Sequence, residues 1–253
     1  MPRKSQMPSK PKRKTVSFEK RVMNVVNKQA ETKLKVVSLW DNEAIPSGGL
    51  YPNAVSPAVI SGLQIPNVLT DLAITQGVEQ EQRTGNSIQN CRLSFRGLVE
   101  TVEYDATTNN NLYGYECHIV FFKNKQDISN DVSNIKTLPG NATGRVDGSL
   151  INSMYPYNKD LYTIKRVKVI RMNQYLSTTT TYNPPGQDNT FNFKRFRVDI
   201  PIKKNIKFTD TSTTPSNDWV SVGVFLINGN GDTTPGKIRA QITMDAQLRY
   251  DDF

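Results

Sequence analysis

From Ile238 to Tyr250 the chain alternates apolar and polar residues without a break. Ile238, Ala240, Ile242, Met244, Ala246, Leu248 and Tyr250 fall on one side, and Arg239, Gln241, Thr243, Asp245, Gln247 and Arg249 on the other. A two-residue period sustained this long cannot present one apolar face on a helix, where the repeat is 3.6 residues. It dictates a strand with one buried and one wet face, the habit of antiparallel sheets.

The same period recurs upstream. Cys91, Leu93, Phe95 and Val99 alternate with Asn90, Arg92, Ser94 and Arg96, with Gly97 between. Further strands are predicted over Leu34–Trp40, Tyr113–Lys123, Lys159–Asn173, Phe191–Ile202 and Asp218–Asn228. Residues 41–73, rich in Pro, Gly and Ser, read as a long surface connection. Thr107–Asn111, Ser177–Asn189 and Asp210–Asn217 read as loops. Asp127–Tyr157 reads as a long insertion with one helical turn near Asp131–Leu138. About eight strands, long irregular connections and almost no helix after residue 30 describe an all-β, two-sheet sandwich. Periodicity does not choose between an immunoglobulin-like sandwich and a jelly roll.

Charge is unevenly placed. Of 253 residues, positions 1–35 hold eleven bases and two acids, a net charge of +9, whereas 36–253 hold twenty-one of each and are neutral. Residues 1–16 carry Arg3, Lys4, Lys10, Lys12, Arg13 and Lys14, three prolines and no acid. Such a segment has too little to bury to fold alone and reads as a disordered basic arm. Lys10-Pro11-Lys12-Arg13-Lys14 also reads as a nuclear-import signal, which would make host import machinery a partner. Residues 17–32 read as an amphipathic helix. Ser17 can cap it, Phe18, Val22, Val25 and Val26 form an apolar stripe, and Lys20, Asn24 and Lys28 form the opposite row. Such a helix packs by its stripe as an ordinary surface element, or holds its lysines toward nucleic acid. Four apolar residues and no tryptophan make a poor membrane-surface helix. Residues 33–253 read as the body.

No apolar run approaches the eighteen residues a membrane span needs, and no apolar region follows the N-terminal bases as in a signal peptide. Cys91 and Cys117 read as small buried hydrophobes rather than a disulfide. Asn141-Ala-Thr143 fits a glycosylation acceptor but, with no secretion signal, reads as a loop. His118 stands mid-strand, on the opposite face from Cys117. It is read as a packed or hydrogen-bonded histidine, not as a zinc ligand or a triad base. No Gly-x-Ser-x-Gly turn occurs, and no complete phosphate-binding Gly-x-x-x-x-Gly-Lys-Ser/Thr run does, since Gly231–Lys237 has the spacing but is followed by Ile238. Asp251-Asp252 reads as a solvated chain end, or as a contributor to calcium held between subunits. No active site, cofactor or metal is expected. Lys165, Arg166, Lys168, Arg171, Lys194, Arg195 and Arg197 lie in predicted strands. They fit two roles equally: lining a nucleic-acid-facing surface with Arg92 and Arg96, or pairing with acids on neighbouring strands.

Gly77 and Gly85 bracket a polar segment ending Gln82-Arg83-Thr84-Gly85, which runs into the long strand with Arg96-Gly97. Phe18–Leu39 presents a basic helix, then Glu31-x-Lys33, then a first strand. These blocks resemble the coat proteins of satellite tobacco necrosis virus and the capsid proteins of circular single-stranded DNA viruses. The strands at His118–Lys123 and Tyr162–Lys165 add to the likeness, which covers roughly the first two-thirds of the chain. The resemblance implies a single eight-stranded jelly roll that assembles with itself into an icosahedral shell of sixty subunits (T=1). It implies packaging of single-stranded nucleic acid, DNA in preference to RNA, in a virion assembled in the host nucleus. The nucleic-acid-binding residues would be Arg3, Lys4, Lys10, Lys12, Arg13, Lys14, Lys20, Arg21 and Lys28 of the arm and helix, with Arg92 and Arg96. The alternative is a non-viral oligomeric jelly-roll binding module whose basic tail binds nucleic acid.

Overall fold

The computed structural model describes residues 31–46, 51–52, 60–102, 114–125, 135–136, 148–173, 193–228 and 238–252. The elements in chain order are β1 (Glu31–Pro46), β2 (Tyr51–Pro52), β3 (Ile60–Ser61), β4 (Leu63–Ile65), a one-turn helix α1 (Val68–Asp71), β5 (Ser87–Thr101), β6 (Gly114–Asn124), a 3-10 turn (Leu150–Ser153), β7 (Tyr162–Asn173), β8 (Phe193–Pro201), β9 (Ile206–Lys207), β10 (Ser221–Asn228) and β11 (Ile238–Asp252). Two main antiparallel sheets result, beside a two-stranded pair of β2 with β3. The first runs β1-β11-β5-β8, with β9 on the far end of β5, and the second runs β4-β10-β6-β7. The pairing is nested: β1 with β11, β4 with β10, β5 with β8 and β6 with β7.

The alternation read from the sequence sets the core. Leu93, Phe95 and Val99 of β5 and Ile242, Met244 and Leu248 of β11 are fully buried between the sheets, while Arg92, Arg96, Asp245 and Arg249 are exposed. Phe95 meets Phe121 of β6 across the interior, ring centroids 4.4 Å apart. Burial of this kind contributes about 25 cal/mol per Å² of apolar surface.

The second sheet is covered on its other face as well. Val120 and Phe122 of β6 and Phe225 and Ile227 of β10 form a second cluster with Ile135 and Tyr162, and Tyr157 and Leu161 pack against it. All eight residues of β10 are therefore buried, which is why its sequence shows no polar alternation. The expected insertion thus supplies a lid over the second sheet. Its described helical turn lies at Leu150–Ser153. The turn expected near Asp131–Leu138 falls mostly outside the described residues.

Two expectations change. Residues 41–73 are not simply a surface connection. They hold the end of β1, the short strands β2 to β4, and α1, and they bury Ile45, Ile65, Val68, Leu69 and Leu72 in the main core. Asp252 is not a solvated chain end. It is 4% exposed and its carboxylate lies 3.1 Å from the Lys33 ammonium, itself 3% exposed. Burial alone would raise its pKa, but the Thr84 amide and Lys33 hold it below the ordinary carboxylate range. β1 begins at Glu31, so Glu31 and Thr32 belong to a strand. The rest of the helix expected over 17–32 lies outside the described residues.

The glycine-bracketed segment is a clamp at this end of the sandwich. Gly77 N–H donates to the Arg83 carbonyl and Arg83 N–H to Thr75, closing the loop. Lys33 Nζ donates to the Gln82 carbonyl at 2.7 Å and Tyr250 Oη to Glu81 at 3.1 Å, which ties the loop to β1 and β11. The Arg83 guanidinium is wholly buried. It donates to the carbonyls of Gly85, Asp210 and Ser212 and stacks 4.5 Å from the Phe208 ring centroid.

Candidate nucleic-acid interface

The outer face of the first sheet is set by register. Along β5, Arg92, Ser94, Arg96 and Leu98 point outward. β11 places Arg249, Gln247, Asp245 and Thr243 opposite them, and β8 places Pro201, Asp199, Arg197 and Arg195 on the other side. Five arginines therefore share one face: Arg92, Arg96, Arg195, Arg197 and Arg249. Arg92 and Arg96 stand about 13 Å apart along the strand.

Asp199 is the main counter-charge. It accepts from Ser94 Oγ at 2.5 Å and lies 3.3 Å from both the Arg92 and the Arg197 guanidinium. The Ser94 hydroxyl and then Arg197 and Arg92 hold its carboxyl below the ordinary range. One carboxylate shared by two arginines leaves positive charge over, and exposed pairs are weak. Arg92 keeps 59% of its side chain exposed. Arg96, flanked by Asp245 and Arg197, makes no ion pair among the described residues. This face can offer guanidinium groups to an extended polyanion through phosphate contacts that carry no base sequence.

The strand bases read as one group therefore divide. Arg195 and Arg197 join Arg92 and Arg96. Lys165, Arg166, Lys168 and Arg171 lie on β7 in the other sheet, and Arg171 pairs with Glu116 at 2.8 Å. Pairing with acids occurs in both sheets, at Arg92 and Arg197 with Asp199 in the first and at Arg171 with Glu116 in the second. Lys194 Nζ donates to the Arg171 carbonyl, joining the edges of the two sheets. Arg3, Lys4, Lys10, Pro11, Lys12, Arg13, Lys14, Lys20, Arg21 and Lys28 lie outside the described residues.

His118 sits in a polar network on the outer face of the second sheet, under the lid. The Tyr157 hydroxyl donates to Nδ1 at 2.7 Å, and Nε2 donates to Glu116 at 3.1 Å. The ring stacks on Phe225 with centroids 5.0 Å apart. Burial, only partly offset by Glu116, lowers its pKa to about 4, so the imidazole is neutral. The sequence reading missed Lys136. This 2% exposed ammonium donates to the carbonyls of Asn152, Ser153 and Tyr155 and lies 4.7 Å from the Tyr157 ring centroid. Burial lowers its pKa to about 8. No pattern in the sequence marks this lysine, because its partners are backbone carbonyls.

Cys91 and Cys117 are free and buried, and burial pushes both thiols up to about 12. Asp251 accepts from Thr32 Oγ1 at 2.9 Å and from Asn90 Nδ2 at 2.8 Å, and Asp252 pairs with Lys33. Among the described residues no group of three or more His, Cys, Asp or Glu could hold a metal ion. None of their helices is long and apolar enough to cross a membrane.

No protein-family model matches the chain, and no curated protein matches it in sequence.

Proposed function

We propose that this chain is the coat protein of a small icosahedral virus. It is a single eight-stranded jelly roll that assembles with itself into a closed T=1 shell of sixty subunits, and its role is structural rather than catalytic. The observation that carries the reading is the nested pairing. Counting only the eight strands along the two sheet paths, the first pairs with the last, the second with the seventh, the third with the sixth and the fourth with the fifth. A two-stranded ribbon of four strand pairs folded over itself in this way supports the reading of two Greek keys, the jelly roll used by viral shells.

The shell packages single-stranded nucleic acid, DNA in preference to RNA, through its basic N-terminal arm, which lies in the 1–35 segment that holds the entire net charge. Binding is sequence-independent and driven by counterion release. The arginine face of the first sheet, with Arg92 and Arg96, forms the inner wall and adds contacts to the same strand. The import-like run at Lys10–Lys14 directs the protein to the nucleus for assembly.

Removing residues 1–16 tests the arm. Six bases go and no acid, so the slope of log affinity for single strands against log salt shrinks by up to about 4. Shells formed without the arm carry less nucleic acid, read as a lower 260/280 nm absorbance ratio. A bare import signal would leave the slope of the purified protein unchanged. Unchanged slope and unchanged packaging together would move the binding to the strand-borne arginines.

A further inference from the structure

A cleft of about 520 Å³ opens where the edges of the two sheets approach, β7 from one and β8 from the other. Five cationic side chains converge on it from three places: Lys123 at the end of β6, Lys165 and Arg166 at the start of β7, and Lys203 and Lys204 beyond β8. Asp218 is the only acid among the described residues that line it, and it is already engaged. It accepts from Lys123 Nζ at 2.6 Å and from the Trp219 amide at 3.1 Å. Lys165, Arg166, Lys203 and Lys204 are exposed and make no ion pair among the described residues. The chain beyond residue 35 is neutral overall, so this concentration of charge is local.

Lysines on sheet edges commonly serve only to block edge-to-edge pairing. That role covers Lys165 and Arg166 on the edge strand β7. It does not cover Lys123, on a strand with neighbours on both sides, or Lys203 and Lys204, which lie outside any strand. Ile200 and Pro201 give the cleft an apolar wall, and a cleft lined by one sign of charge over such a wall focuses its field on an entering anion. The volume is within the range of small-ligand sites, about 300–1,000 Å³. Ammonium groups around a shared centre suit phosphate oxygens, each contact being a charge-assisted hydrogen bond. We propose that this cleft is a binding site for an oligophosphate, separate from the N-terminal arm and from the arginine face. Its occupant is either a free oligophosphate or consecutive phosphates of a bound strand.

Trp219 provides a local reporter. Lys123 Nζ lies 3.8 Å from its ring centroid, and the chain's other tryptophan is Trp40. Inorganic triphosphate is titrated into the whole chain carrying Trp40→Phe while Trp219 emission is followed. A saturable change is expected, and adding Lys203→Gln with Lys204→Gln raises the half-saturation concentration by about tenfold or more. Arg166→Gln raises it independently, and removal of residues 1–16 leaves it in place, which separates this site from the arm. Absence of a saturable change overturns the proposal. So does a midpoint that the double variant leaves unmoved. A ten-nucleotide oligothymidylate without terminal phosphates identifies the source. If it competes with triphosphate, strand phosphates fill the cleft; if triphosphate binds unaffected, the occupant is a free oligophosphate.

Discussion

Arg83→Met removes the guanidinium and keeps most of the apolar stem that packs on Phe208. The wild-type side chain has no exposed surface, and it donates to three backbone carbonyls and, at 3.3 Å, to Asn86 Oδ1. Hydrogen bonds from a charged donor contribute about 1.5–3 kcal/mol each. Two terms reduce the total. The guanidinium's own desolvation cost is recovered, and the carbonyls of Asp210 and Ser212, on a surface loop, can rehydrate. The expected loss is about 2–4 kcal/mol. Urea unfolding, with the slope checked for a constant m-value, measures it. Arg96→Met, on the exposed face, serves as the control and should stay within about 0.5 kcal/mol. Limited proteolysis adds a local readout, since Arg83 carries most of the bridge from the 77–86 loop to the loop at Asp210–Ser212, with one further bond from Asn86 Nδ2 to Asp210 Oδ1 at 3.3 Å. Cleavage there should accelerate in Arg83→Met before the body unfolds. Equal stability of the two variants, with unchanged cleavage, would refute the clamp.

Gly97→Ala should destabilise the body by about 1–3 kcal/mol or more. An added Cβ would meet the Thr243 carbonyl oxygen at 2.3 Å and Phe196 Cζ at 2.8 Å, and the first of these is backbone of the paired strand β11. A melting temperature equal to the parent's would show that the ladder can give way there. His118 predicts an acid dependence. Its ordinary pKa is 6.5 and burial lowers it to about 4 in the fold. Between those values the unfolded chain takes up a proton that the folded chain refuses, so stability falls as pH falls through that window. The full contribution is about 3 kcal/mol. Urea unfolding at pH 7 and pH 4.5 should show a smaller acid loss in His118→Gln than in the parent, and equal losses would contradict the neutral buried imidazole.

The sheets were legible where burial is one-sided. β5 and β11 each have one wet face, so the two-residue period in the chain is the pattern of burial in the fold. β10 carries the same kind of signal in another form. SVGVFLIN is unbroken because both faces of the strand are covered, one by the main core and the other by the layer that also buries Val120 and Phe122. β1 extends six residues past the expected end at Trp40 because register shifts between Ser38 and Glu43, with Asn42 at a positive φ of 53°, break the alternation. Residues 60–72 escaped for a different reason. Strands of two or three residues and a single helical turn are too short to show a period, so their core residues look scattered. At the candidate interface, the outward direction of Arg92 and Arg96 followed from spacing alone. Their company did not, because which strands flank β5 depends on long-range pairing. Arg83 and Lys136 were unreadable as buried cations, since backbone carbonyls leave no complementary charge in the sequence.

Electron microscopy of the purified chain tests the coat assignment most directly. Uniform closed shells of a single diameter, built from sixty copies and containing nucleic acid, are the expected result. Only trimers or other small open oligomers, at every concentration and salt examined, would contradict it and favour a binding module with a basic tail.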